Sequence, residues 1–103
     1  MKTLTINISK EFSKYPGGRY KKFFQFSGEE FREKFLDENF EKYGKIHIEL
    51  DGALGYQWDF LDESFGVIAR KYGKDQFNEK FNFISRNNHT IETIHHVVMI
   101  QKK

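Results

Sequence analysis

Residues 45–73 read KIHIELDGALGYQWDFLDESFGVIARKYG. The first six alternate, with Ile46, Ile48 and Leu50 on one side and Lys45, His47 and Glu49 on the other. Strict alternation is the pattern of a strand that is buried on one face. A loop rich in acids and aromatics follows, Asp51 to Asp59. A helix is then predicted over Phe60–Tyr72, with Gly73 beyond it as its stop. A strand leading into a helix start is the place where α/β folds usually meet ligands and partners. Any working surface is therefore expected between Asp51 and Ser64.

Working outward, Thr3–Ile8 also alternates, Leu4, Ile6 and Ile8 against Thr3, Thr5 and Asn7, and reads as a strand. Tyr15-Pro16-Gly17-Gly18 has proline and glycine where a type II turn prefers them. Arg19–Phe26 is aromatic and basic, and its pattern suits either a short strand or an ordered loop. Ser27-Gly28-Glu29-Glu30 is a capping box. It opens a helix to about Tyr43 with Phe31, Phe35, Leu36 and Phe40 on one stripe, stopped by Gly44. Residues 74–80 read as a polar connection with room for a short helical turn, and Phe81–Ser85 as a third clear strand. Asn87, Asn88 and Thr90 offer capping side chains to a last helix over Ile91–Gln101.

The strands alternate, whereas a sheet covered on both faces reads as continuous apolar runs. The expected architecture is thus α/β in two layers: helices mainly on one face of a mostly parallel or mixed sheet of about four strands. Thr5, Asn7, His47, Glu49 and Asn82 are expected on the wet face. The 103 residues suit a single domain over 1–103, and 12 phenylalanines suit a small aromatic core. A net charge of +2 with interspersed signs argues against a nucleic-acid binder. The chain has no cysteine, which excludes disulfides and thiol chemistry. No apolar run approaches the ~20 residues of a membrane span. The start, MKTLTINISKEF, lacks the apolar core of a secretion signal. A cytoplasmic protein is expected.

Taken together, KIHIELDG with the following loop and FLDESFGVIARKYG, FNFISRNNHTIETIHHVV, and SGEEFREKF resemble the STAS fold of anti-sigma factor antagonists and sulfate-transporter tails. More closely, the chain is similar to small bacterial STAS-like domains of unknown function. The resemblance spans about Ser27 to Val98. It implies a regulatory, protein-interaction module whose partner is an ATP-binding, histidine-kinase-like protein. In the antagonists, the helix after the central strand opens with an aspartate and a phosphorylatable serine. Asp59 matches the aspartate, but Phe60 stands in the serine's place. Ser64 is the nearest serine, one turn into the helix, where it also reads as a small residue that permits close packing beside Gly66.

The partner-binding candidates are Asp51, Tyr56, Trp58, Asp59, Asp62 and Ser64. Tyr56 and Trp58 suit either binding anchors or a lid on the core. Asp62 and Glu63 read first as favourable charges in a helix's opening turn. Gly17, Gly18 and Arg19, with Lys21 and Lys22, form a candidate anion cradle, though without the spacing of a P-loop. This underlies an alternative reading as a small-ligand or nucleotide-binding domain. A third reading is self-association through the wet sheet face. His47, His89, His95 and His96 show no metal-binding motif. No catalytic set, metal or cofactor is expected, nor any nucleic-acid or membrane partner.

Overall fold

The computed structural model describes residues 2–102. Three strands, β1 (Thr3–Asn7), β2 (Lys45–Glu49) and β3 (Phe81–Ile84), form one sheet in the order β1-β2-β3. Both pairings are parallel, in a register that aligns Leu4, Ile46 and Phe81, and next Ile6, Ile48 and Phe83. That register gathers the apolar positions on one face, where Ile6, Ile46, Ile48 and Phe81 are buried under helices. The intervening row Thr5, His47, Asn82 faces the other way. There Asn82 Nδ2 lies 3.0 Å from His47 Nδ1, and Asn7 Nδ2 donates to Glu49 at 3.4 Å. The two-layer expectation holds, with a sheet face open to water.

The strand count differs from expectation: three rather than about four, and all parallel. Arg19–Phe26 is an ordered loop. The Phe23 and Phe24 amides donate to the Tyr20 carbonyl, and the Gly17 amide to the Phe26 carbonyl. The Gly18 and Arg19 carbonyls accept from the Gly28 and Glu29 amides. Its backbone groups are thus spent on local turns and on a helix start, and are not offered to the sheet. The expected type II turn at Pro16-Gly17 also fails, since the positive-φ glycines among the described residues are Gly52 and Gly73. Gly17 and Gly18 instead allow close approach. A Cβ would stand 2.3 Å from the Gln25 carbonyl oxygen at Gly17 and 2.7 Å from the Phe24 ring at Gly18.

Six α-helical stretches are found among the described residues: α1 (Ile8–Glu11), α2 (Gly28–Phe31), α3 (Trp58–Leu61), α4 (Val67–Tyr72), α5 (Lys74–Lys80) and α6 (Asn88–Met99). The first strand stops at Asn7, one residue short of expectation. The Asn7 side chain accepts from the Lys10 amide and turns the chain into α1. Ser27 caps α2 through the Glu30 amide at 3.1 Å, but Glu30 pairs with Lys34 and does not reach back. Helix α2 continues through a π-helical turn, Arg32–Leu36, and regular helix ends there. Residues 37–42 form turns where helix was expected to Tyr43. A second π-helical turn, Asp62–Gly66, joins α3 to α4 into one helix over 58–72, which starts two residues before the expected Phe60. The 74–80 connection is itself a helix, and α6 starts at Asn88, with Asn87 accepting from the His89 amide. Phe31, Phe60, Phe65 and Phe77 are wholly buried between sheet and helices.

Candidate functional site

The segments that follow the three strands meet at one end of the sheet. The loop after β2 runs from Leu50 to Gln57 and delivers Trp58 as the first residue of α3. Asp51 spends its carboxylate inside the fold. It accepts from Ser85 Oγ at 2.8 Å and from the Arg86 amide at 3.0 Å, tying the β2 loop to the β3 loop. Its carbonyl accepts from Ser9 Oγ at 3.1 Å, which ties in α1, the helix that follows β1, too. Asp51 is therefore the joint of this end of the molecule.

Tyr56 is half-buried, and its hydroxyl donates to the Leu50 carbonyl at 2.7 Å. Burial, assisted by the negative charge of Asp51, pushes its phenol above the usual tyrosine value. A raised folded-state pKa means that the fold holds the proton more tightly than the unfolded chain. Its stabilisation is full below the ordinary value of about 10 and is lost as pH climbs through and above it. Stability is therefore expected to fall in that window, by at most about 1.4 kcal/mol per pH unit for this one group. Tyr56→Phe should flatten the fall in urea titrations taken at successive alkaline pH values. An unchanged slope would assign it elsewhere, for instance to Tyr72, which is also raised by burial and by its bond to Glu41.

The acids of the opening helix turn converge on Arg19. Its Nη1 donates to Asp62 at 2.7 Å and stands 3.5 Å from Glu63, while Nη2 donates to Asp59 at 2.9 Å. Partial burial works against the guanidinium charge, but Asp62 and then Asp59 outweigh it and hold its pKa above the usual value. Arg19 is therefore committed within the fold. In the candidate cradle of Gly17, Gly18 and Arg19, the cation is already paired with acids and the Gly17 amide donates to the Phe26 carbonyl. The cluster extends through residues that sequence reasoning missed. Gln101 Nε2 donates to Asp62 at 2.6 Å, and Arg70 donates to Gln101 at 2.7 Å. Arg32 reaches Glu63 at 3.4 Å and its carbonyl at 3.0 Å, bridging the two π-helical turns. Nothing in the sequence links Gln101 to Asp62, which lies 39 positions away.

Exposure decides which of these pairs matter. The side chains of Asp62 and Glu63 are 20% and 12% exposed, against 59% for Asp59. Exposed pairs are worth little, and breaking a desolvated one costs more. Arg19→Met is expected to destabilise by about 1–2 kcal/mol. A double-mutant cycle should couple it to Asp62→Asn by about 1 kcal/mol and to Asp59→Asn by about 0.3 kcal/mol. Equal coupling to both would refute the burial argument.

Ser64 is wholly buried. Its hydroxyl donates to the Phe60 carbonyl at 2.7 Å, within its own helix. A partner surface or a kinase does not reach it in this fold, so Ser64 leaves the docking set. Trp58 stays in it. The residue is 40% exposed, and its ring stands edge-on to His96 with centroids 5.4 Å apart. Trp58 and α6 enclose a shallow groove of about 380 Å³ lined by Trp58, His89, Glu92, Thr93 and His96. The seven-residue spacing of His89 and His96 puts both on that groove. Leu54, in the same loop as Tyr56, is 83% exposed. Among the described residues, no group of three or more His, Asp or Glu stands together as a metal site.

The family model described as STAS-like domain of unknown function (DUF4325) matches residues 27–90, more than half of the chain. The chain belongs to this STAS-like family. The match takes in Ser27 and its helix, β2, the Trp58 loop, the helix over 58–72 and β3. Neither the curated proteins nor the solved structures contain a match to the chain. Among the described residues of this STAS-like chain, no helix is long and apolar enough to cross a membrane.

Proposed function

We propose that this STAS-like domain is a non-enzymatic, cytoplasmic regulatory module that docks a protein partner at the loop end of its sheet. The carrying observation is the partly exposed Trp58, poised over the α6 groove at the start of a helix. Large aromatics at the centre of a contact supply much of its binding energy. Leu54 adds exposed apolar surface from the same loop, and Asp59 leaves a carboxylate at the rim. The other acids of the region support the reading by their occupation, since Asp51, Asp62 and Glu63 are spent on internal bonds. The resemblance to anti-sigma antagonists favours an ATP-binding, histidine-kinase-like protein as the partner. A serine phosphoswitch is not part of the proposal, because Phe60 occupies that place and Ser64 is buried.

The test is affinity capture from the native host, followed by binding measurements on the purified pair. Trp58→Ala and Leu54→Asp are expected to weaken binding by at least about tenfold each, the size of a hot-spot loss. Both should fold, with stability changes of about 1 kcal/mol or less. A captured protein bearing an ATP-binding, histidine-kinase-like domain, lost by both variants, is the expected result. Undiminished capture by both variants overturns the docking surface. Capture of an unrelated class overturns the choice of partner.

A further inference from the structure

The β3 side of the sheet has a second unoccupied feature, away from Trp58. β3 is an edge strand, with β2 on one side only. The Leu50 amide donates to the Ile84 carbonyl, so Ile84 and Asn82 turn their backbone groups toward β2. By alternation, Phe81 and Phe83 turn theirs to the open edge. The Phe81 amide is already bonded to the Phe77 carbonyl. The Phe81 carbonyl and both backbone groups of Phe83 are left directed outward, a short ladder without a partner among the described residues. Natural folds usually cover or blunt such an edge.

Beside this edge, on the helix side, runs a groove of about 490 Å³. Phe81 and Phe83 form its wall on β3, Val98, Met99 and His95 its wall on α6, and Lys74 and Asn78 its α5 end. Inward side chains of an additional strand would fall there, because side chains alternate across a strand. The lining carries one formal charge, the cation of Lys74, beside the polar side chains of His95 and Asn78, and no carboxylate. Lys74 is fixed at the groove's end by donating to the Met99 carbonyl at 2.5 Å. An incoming segment that alternates apolar with acidic residues matches both the ladder and the charge. A second copy of the chain matches less well. A copy offers its own Lys74 to the groove in place of an acid, and the copy's Phe81 and Phe83 are already packed in or against its own core.

We propose that the β3 edge takes up an extended, acidic and apolar peptide segment of another protein as a fourth strand. Selection of a displayed library of random peptides on the full chain is expected to enrich sequences alternating apolar residues with Asp or Glu. The best peptide, made synthetically, should protect the Phe83 amide from hydrogen exchange. It should bind at least about tenfold more weakly to the N78E/H95E double variant. Both substitutions lie at exposed helix positions, and circular dichroism checks that the variant is folded. No enrichment, enrichment of basic peptides, or equal binding to the folded variant overturns the proposal. So does a bound peptide that leaves the Phe83 amide unprotected. Protection of Phe83 without peptide, rising with protein concentration, overturns it in favour of a second copy.

Discussion

Phe65→Ala is expected to cost about 3–5 kcal/mol of unfolding free energy. Phe65 is wholly buried where the helix over 58–72 crosses the sheet. Its ring centroid lies 5.9 Å from Phe31, 5.0 Å from Phe83 and 5.9 Å from Phe81. The first contact belongs to α2 and the other two to β3, so one ring holds the N-terminal and C-terminal halves together. Alanine removes the ring's transfer free energy and leaves a cavity that two π-helical turns and a sheet close only in part. Domains of this size are typically stable by about 5–15 kcal/mol. The variant should therefore be marginal, with a urea midpoint far below the parent's and an unchanged m-value. A cost under about 1 kcal/mol would mean that the surrounding phenylalanines repack into the space.

Gly28→Ala is the second large effect, and it tests the site's scaffold. Gly28 opens α2 against the start of the neighbouring helix. A Cβ there would stand 2.4 Å from the Phe60 carbonyl oxygen and 3.0 Å from the Phe60 Cα. Both are backbone atoms, so no side chain can rotate away. Alanine favours helices over glycine by about 1 kcal/mol, but that gain is small in a first turn whose cap is already set by Ser27. Overpacking costs about 1–3 kcal/mol, and rigid contacts lie at the top of that range. The net expectation is a loss of about 2 kcal/mol, read by thermal unfolding. Separation of the two helices would also move Trp58, two residues before Phe60. A shift in the emission of this single tryptophan is expected alongside the lower midpoint. A stabilised Gly28→Ala would show that helix propensity prevails and that the close approach is slack.

The layers of the fold were legible because they rest on local rules. The alternation in Thr3–Asn7 and Lys45–Glu49 sorts side chains to two faces whatever lies beyond. The wet row of Thr5, His47 and Asn82 follows from that alternation. The Ser27 cap and the glycine after Tyr72 are likewise local signals. Helix ends were less legible. The 28–36 helix stops earlier than its apolar stripe suggested, and 74–80 forms a helix despite its polar composition, because Phe77 anchors it in the core.

Long-range pairings decided the rest. Arg19 reads as a free cation in the string PGGRYKK, yet the tertiary fold brings it to Asp62, 43 positions away. Ser64 and Trp58 both lie in the acidic stretch, but helical rotation buries one and presents the other. The aromatic stretch Arg19–Phe26 spends its backbone bonds on local turns and the start of α2, so the sheet has three strands among the described residues. Residue order alone settled which faces are apolar and where elements begin, since alternation and capping act within a few residues. Only the packed chain settled which charges are spent, which serine is hidden and which edge is free, since each depends on groups brought together across tens of residues.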